Sequence, residues 1–348
     1  MPKLFVMSDI HGFYNTMQKA LDEAGFDPDN ENHWLVTCGD HFDRGPYPTE
    51  VMRYLRQLPR KILIRGNHEE LLVKCCENGY PGMHDYQNGT YDTICEIGGA
   101  GEGYDFDECC YRTLAKTHLF LESMVDYFET KNYIFVHSWL PLISKDGLPA
   151  YYTRNREFEF NPNWREASIE EWADSRWGNP FEFAEQGFLP DKTVIFGHWH
   201  SSTGWAKSEG RSEFGEDAKF EPYYGNGFIA IDACTAHSGK CNVLVLEDEF
   251  LEDEYEIIKI YEKLSTEERE TILNYDSIDK QWTMMSTVPK HFRKAVKQGW
   301  TPVKQYVYED GTVCGMELTA SERAVTIRNT AKKQMSEKQL ANLKDDDE

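Results

Sequence analysis

Five short apolar runs in this chain each lead to a residue that can hold a metal ion. LFVM leads to Asp9, with His11 two residues on. WLVTC leads to Asp40, KILI to Asn67, YIFV to His137, and TVIF to His198 and His200. Each run has the length of a buried strand. Ligands of open α/β sheets gather beyond the carboxyl ends of the strands, so five such strands bring these side chains to one edge. Two Asp, one Asn and four imidazoles are too polar to bury without partners. They fit two metal ions sharing a bridging carboxylate. The mixture of nitrogen and oxygen donors suits Mn, Fe or Zn and disfavours Ca.

The elements that must position these residues follow from periodicity. Met17, Ala20, Leu21 and Ala24 mark one face of a helix over 15–24, stopped by Gly25. Val51, Met52, Leu55 and Leu58 do the same over 49–58, and Leu71, Leu72 and Cys75 over 69–78. A β-α-β-α-β-α order implies a parallel core with right-handed crossovers. Residues 80–104, rich in Gly, Asn, Asp and Tyr, read as loop, and a helix is expected over 108–124. Residues 144–190 form a second insertion, with a helix opening at the capping box Ser168–Glu171. Long insertions at a ligand-bearing edge act as walls or lids. The strands GFIAIDA, CNVLVLE and YEIIKIY, over 227–261, are expected side by side and antiparallel.

The chain reads as two parts, a catalytic domain over 1–262 and a small α+β C-terminal extension over 263–348. The extension is expected to hold a helix capped at Ser265–Glu268, a helix over 290–298, a hairpin turning at Glu309-Asp310-Gly311, and a third helix near Ser321. The final KDDDE reads as a disordered acidic tail. Trp282, Phe292, Trp300, Tyr306 and Tyr308 are expected to pack against the first part, since about 85 residues make a marginal core alone. Six Lys and Arg with no acid between Lys280 and Lys304 read as a solvated helix face.

A formal charge of −23 repels phosphate backbones and argues against a nucleic-acid partner. Nine cysteines, an odd number with no CxxC pair, read as reduced thiols in a cytoplasmic protein. The first strand begins by Lys3, which leaves no room for a signal peptide. No apolar run approaches the ~18 residues of a membrane span.

Three motifs sharpen the chemistry: Ser8-Asp9-Ile10-His11-Gly12, Gly39-Asp40-His41-Phe42-Asp43-Arg44-Gly45 and Gly66-Asn67-His68-Glu69. VHSW at His137 and GHWH over 197–200 follow. In these motifs the chain resembles the calcineurin-like metallophosphoesterases, and within them the phosphoprotein phosphatase (serine/threonine phosphatase) family in its bacterial or phage form. That family runs GDxHG, GDxxDRG, GNHE, an HAG-type His and a late GH. The likeness covers roughly residues 1–250, and Ser138-Trp139 depart from the usual small residue and Gly. It implies an α/β fold, a four-layer α/β/β/α sandwich.

By the same resemblance, Asp9 and His11 hold a first metal, Asp40 bridges, and Asn67, His137 and His198 hold a second. His200, the extra imidazole of GHWH, is added to the first metal. His68 is the general acid, with Asp43 orienting its ring, and Arg44 forks two phosphate oxygens. A second phosphate-binding arginine is expected on the later insertion at Arg176, with Arg154 and Arg156 as rivals.

The implied enzyme is a phosphomonoesterase with two divalent metals, Mn first among them. It hydrolyses phosphoserine and phosphothreonine in proteins by attack of a metal-bridging hydroxide. Its partner is thus a phosphoprotein or a small phosphorylated molecule. One rival keeps the site and hydrolyses dinucleoside polyphosphates such as diadenosine tetraphosphate, with Tyr86, Tyr91, Trp164 or Trp172 stacking a base. Another is a non-catalytic binding module stabilised by metal, for which His68, Asp43 and Arg44 would be needless. Outside the motifs, His33, His84, His118 and His291 read as ordinary histidines, and His41 as a support. Asp232 and His237 read either as pocket wall or as loop packing.

Overall fold

The computed structural model describes residues 2–145, 157–250, 257–260, 269–276, 280–298, 300–308 and 313–321. The chain divides into two compact units, Met1–Glu252 and Asp253–Glu348.

The first unit opens with β1 (Lys3–Met7), α1 (Tyr14–Ala24), β2 (His33–Cys38), α2 (Pro48–Gln57), β3 (Lys61–Ile64) and α3 (Asn67–Asn78). Three helices follow, α4 (Met83–Asn88), α5 (Thr90–Gly98) and α6 (Phe106–Glu122). The chain continues through β4 (Tyr127–Glu129), β5 (Tyr133–Val136), β6 (Ile143–Ser144), β7 (Phe158–Glu159), α7 (Ile169–Ser175) and α8 (Pro180–Glu185). It closes with β8 (Thr193–His200), α9 (Ser201–Glu209), β9 (Tyr223–Tyr224), β10 (Phe228–Asp232), α10 (Thr235–Ser238) and β11 (Leu244–Glu247).

Two main sheets result, ordered β11-β1-β2-β3 and β4-β5-β8-β10-β9. β1, β2 and β3 run parallel, as do β5, β8 and β10. The antiparallel strands β11, β4 and β9 lie at sheet edges. Alternation along a strand sends successive side chains to opposite faces, and β1 shows the consequence. Leu4 and Val6 join Val36, Ile64, Phe135, Ile195 and Ile231 in a core shared by both sheets. Phe5 and Met7 instead meet Met17, Leu21, Val51, Leu72 and Phe120 under the helices of the first sheet. The second sheet's outer face carries Val136 and Phe196 against Trp139, Trp172, Phe181 and Phe183. Helices, sheet, sheet and helices therefore form four layers. Strands covered on both faces read as unbroken apolar runs, which is why they were visible in the sequence.

Two expectations are corrected. Residues 80–104 are not a loop: they carry α4 and α5. The glycines that suggested loop are the ends of short helices. Gly82 precedes α4, where its N–H donates to Asp85 Oδ2 at 2.7 Å, and Gly89 (φ +82°) separates α4 from α5. The three strands of 227–261 are not neighbours. β10 sits in the second sheet, β11 pairs antiparallel with β1 in the first, and Ile257–Ile260 belongs to the second unit.

That second unit is one sheet of β12 (Ile257–Ile260), β13 (Thr271–Asp276), β14 (Gln281–Ser286), β15 (Thr301–Tyr308) and β16 (Val313–Ser321), in the order β12-β15-β16-β14-β13. Helix α11 (Pro289–Lys297) covers it, and Phe292, Ala295, Trp300, Met316 and Leu318 form a core of its own. Of the aromatic residues expected to need the first unit, Phe292 and Trp300 are thus buried in this core, with Trp282 half-buried against it. Lys290, Arg293, Lys294 and Lys297 are the exposed face of α11. The helix expected at Ser265–Glu268, the turn at Glu309-Asp310-Gly311, the helix beyond Ser321 and the KDDDE tail lie outside the described residues.

Candidate metal centre

The turns after β1 and β2, and the end of β8, have unusual backbones. Asp9, His11, Asp40, Asp43, Arg44 and His198 all adopt left-handed conformations, with φ between +49° and +69°. Such residues are sparse elsewhere and cluster at functional sites. Backbone bonds join the first two turns: Asp9 N to Gly39 O at 3.1 Å, His11 N to Asp40 O at 2.9 Å and Gly12 N to His41 O at 2.8 Å. The buried Glu69 carboxylate joins the second turn to the third. It accepts the N–H groups of Asp40 (3.1 Å), His41 (2.9 Å) and Gly66 (2.7 Å), with His41 Nδ1 at 3.2 Å. Burial alone would raise the Glu69 carboxyl, but the charge and hydrogen bonds of His41 and the Gly66 N–H take it well below the carboxylate range. Gly66 must be glycine, since a Cβ there would stand 2.2 Å from Asp40 Oδ1.

Asp40 lies at the centre. Its Oδ2 is 3.6 Å from His11 Nε2 and 3.8 Å from His68 Nε2, while its Oδ1 is 3.4 Å from His137 Nε2. Two sets of donor atoms therefore share it: His11, Asp40 and His68, and Asp40, His137 and His198. Asp9 Oδ1 lies 3.9 Å from His11 Nε2, and its Oδ2 accepts the His198 N–H at 2.9 Å.

The donor set fits divalent cations. Phe42 O and Cys38 O can only accept, so the Nδ1 atoms of His11 and His137, each 2.8 Å away, carry protons. With Nδ1 turned to these carbonyls, both rings point Nε2 inward. His137 Nε2 lies 2.7 Å from Asn67 Oδ1 and 3.4 Å from Asp40 Oδ1, so a ring nitrogen and two oxygens converge there. Burial pushes the Asp9 carboxyl well up, reinforced by Asp232 and Asp40. Burial likewise holds His11 and His198 well below the usual imidazole value, helped by Arg44 at His11 and by His137 at His198. Buried carboxylates crowded together beside imidazoles that burial keeps from charging are an arrangement a divalent cation relieves.

His68 and Asp43 form a pair beside this cluster, with His68 Nδ1 donating to Asp43 Oδ2 at 2.7 Å. Burial pulls the His68 imidazole down, but Asp40 and then Asp43 raise it above its ordinary value. Exposed Arg44 reaches back over both sites, donating to His11 Nε2 at 2.8 Å and His68 Nε2 at 3.2 Å. A cavity of about 370 Å³ opens on these groups, lined also by Leu71, His84, Asn88, Trp177, Asn179 and Trp199.

The family model described as calcineurin-like phosphoesterase matches residues 2–217 of this chain. The chain belongs to this family. A curated relative, the symmetrical bis(5'-nucleosyl)-tetraphosphatase of Aromatoleum aromaticum, is 32% identical over 33% of this chain and 40% of its own length. Serine/threonine-protein phosphatase 2 of Escherichia coli K12 is 37% identical over 23% of this chain and 35% of its own. The chain thus spans well under half the length of these relatives. A cold-active protein-tyrosine phosphatase of a psychrophilic Shewanella species aligns with a TM-score of 0.41 at 18% identity, covering 71% of this chain and 76% of that one.

In this member of the family some sequence expectations need revising. Arg176 does not line the cavity. Its guanidinium is 4% exposed and held by Glu70 and Asp126. Its rivals Arg154 and Arg156 lie outside the described residues. His200 lines the cavity yet falls outside both donor sets. Its Nδ1 meets Glu213 Oε1 at 2.8 Å, and its Nε2 is 3.9 Å from Asp232 Oδ2. Trp164 and Trp172 are buried against Tyr127 as core, so they offer no face to a base. His237 meets Phe214 edge to face and Phe220 at a tilt rather than lining the cavity. His84, read as ordinary, does line it.

Sequence reasoning misses Glu69 and Glu213 as supports, and Thr90 and Thr93, which hydrogen-bond to Asp43. Glu69 is the last letter of the third motif, where its place at a helix start hides its role. Nothing in the sequence marks Glu213. Among the described residues no helix is long and apolar enough to cross a membrane, and all nine cysteines are free.

Proposed function

We propose that this chain is a metal-dependent phosphomonoesterase acting on phosphoserine and phosphothreonine in proteins, in the cytoplasm. The observation that carries the reading is the His68–Asp43 pair set 3.8 Å from the shared carboxylate of Asp40, with Arg44 over both. Asp9, His11 and Asp40 would hold one divalent cation and Asp40, Asn67, His137 and His198 a second, with Mn the first choice. When bound, these ions supply Lewis-acid charge and lower the pKa of a water.

The remaining work falls to side chains. Arg44 carries a planar fork at the mouth of the cavity, and such a fork matches two phosphoryl oxygens. A phosphate arriving there replaces the two imidazole nitrogens that Arg44 now contacts. Its charge offsets the negative charge that grows on the phosphoryl oxygens in the transition state. His68 keeps Nδ1–H on Asp43 and presents Nε2 to the cavity. Protonated there, it gives that proton to the departing alkoxide. Without a donor, an alkoxide is a poor leaving group.

A second reading keeps the same groups and takes dinucleoside polyphosphates. Trp177 and Trp199 on the cavity wall favour it, as does the name of the Aromatoleum relative. The test is a side-by-side assay of Mn-loaded protein on a phosphopeptide panel and on diadenosine tetraphosphate. A kcat/KM preference of about 100-fold, roughly 2.7 kcal/mol of discrimination, for the phosphopeptide supports the first reading. The opposite preference overturns it.

A further inference from the structure

The dyad is not held by the catalytic motifs alone. Helix α5, from the segment after the third motif, reaches Asp43 by two side chains. Thr90 Oγ1 donates to Asp43 Oδ2 at 2.6 Å, the same oxygen that accepts His68 Nδ1–H at 2.7 Å. Thr93 Oγ1 accepts the Asp43 N–H at 3.0 Å. Both threonines are buried, at 0% and 2% exposure. Asp43 Oδ1 is buried and has no hydrogen-bond partner among the described residues. The start of the helix fits tightly against the loop. Gly89 has φ +82°, and a Cβ there would stand 2.5 Å from the Arg44 backbone nitrogen.

These contacts have one consequence for chemistry. With Oδ1 unpaired, the torsion of the Asp43 carboxylate is set by what binds Oδ2. Two donors on that oxygen fix the plane of the carboxylate and hence the direction in which the His68 ring is held. Asp43 and Arg44 are left-handed, at φ +69° and +63°, so this loop relaxes unless something holds it. We infer that Thr90, backed by Thr93, is a positioning residue for the general acid, and that α5 is the element which aims His68 at the leaving group.

This inference rests on the reading of His68 as the acid given above, and the experiment separates the two. Thr90→Val removes the hydroxyl and keeps the shape, and Thr90→Ser restores the hydroxyl. Each Mn-loaded variant is assayed on a phosphoserine peptide and on aryl phosphates from phenyl to p-nitrophenyl, whose leaving groups need progressively less protonation. His68→Asn is run in parallel, and bound metal is counted for every variant.

Thr90→Val should lower kcat on the phosphopeptide and on phenyl phosphate by about tenfold, the low end of what orienting partners contribute. It should cost much less on p-nitrophenyl phosphate, with KM and metal content unchanged, and Thr90→Ser should recover most of the loss. Thr93→Val, which removes the acceptor from the other side of the turn, should show the same leaving-group dependence. Equal losses on all substrates, lost metal, or no loss would overturn the role of Thr90 while His68→Asn still shows the leaving-group dependence. If His68→Asn itself costs the same on every substrate, the acid assignment falls and the role of Thr90 falls with it.

Discussion

Replacing Glu69 by Gln probes what holds the metal turns in place. The carboxylate accepts three backbone N–H groups, at 3.1, 2.9 and 2.7 Å, from turns far apart in sequence. It also faces His41 Nδ1 at 3.2 Å, while His41 Nε2 lies 2.7 Å from Thr37 Oγ1. Glutamine has the same shape but only one acceptor oxygen. Placed on Oε1, that oxygen keeps the His41 N–H, and the new NH₂ is pressed on the Asp40 and Gly66 N–H groups. Two buried donors then lack acceptors, at about 1–3 kcal/mol each.

Urea unfolding of metal-free protein should therefore show Glu69→Gln less stable by about 2–6 kcal/mol. The same variant should bind Mn more weakly, because Asp40 depends on this clamp for its left-handed backbone. His41→Phe, which leaves the carboxylate and its three backbone donors intact, should cost less. A Glu69→Gln protein within about 0.5 kcal/mol of the wild type, the spread of an ordinary surface substitution, would refute the clamp.

Four further outcomes are expected. Wild-type protein reconstituted with Mn should carry about two equivalents by elemental analysis, and Asp40→Asn should reduce both, since its oxygens face both donor sets; loss of one equivalent alone would contradict the shared role. Arg176→Ala should destabilise by an amount near the low end of about 3–5 kcal/mol, because Glu70 and Asp126 lose their buried partner while Asp126 keeps some water; it should raise KM for phosphate esters less than Arg44→Ala does. Burial alone would raise the Asp248 carboxyl, but hydrogen bonds from Thr130, from Asn132 (N at 2.8 Å, Nδ2 at 2.6 Å) and from the Glu249 N–H hold it below its ordinary value. Its contribution is present above the unfolded pKa of about 3.9 and is lost as pH falls through the lower folded value, so the stability gap between wild type and Asp248→Asn should narrow in acid; a constant gap would refute it. A chain ending at Glu252 should stay folded and hydrolyse aryl phosphates, since among the described residues each core cluster falls wholly within one unit; aggregation of that chain would count against it.

The sequence made the strands and the donor residues legible for different reasons. LFVM, WLVTC, KILI, YIFV and TVIF are unbroken because both faces of each strand are covered. The helix ends were harder to read. Gly82, Gly89 and Gly99 punctuate short helices, and the same composition would describe a loop. Strand pairing over 227–261 was illegible because adjacency in sequence says nothing about a crossing between sheets. Arg176 was placed by its distance before GHWH, but Glu70 and Asp126, which claim it, are distant in sequence and carry no mark. Glu213 and Thr90 were invisible for the same reason.

The metal turns were legible because one set of residues answers two demands. A left-handed conformation costs a non-glycine residue on the order of 1–3 kcal/mol, and six such residues gather here. Even at the low end that is about 6 kcal/mol, comparable to the whole stability of a domain. Five of the six are Asp or His, the types that tolerate this region best, and they are also the types that bind divalent cations. Sharp turns and metal ligation thus select the same letters, flanked by glycines where chains approach closely. What the turns cannot supply for themselves comes from elsewhere in the chain. Glu69 ties the second turn to the third, Thr93 accepts the Asp43 N–H, and Thr235 Oγ1 donates to Asp9 O at 2.9 Å. These supports need only one hydrogen bond of the right direction, which many residues in many positions could provide. The motif is therefore readable in one chain, and its supports become readable only once the chain is folded.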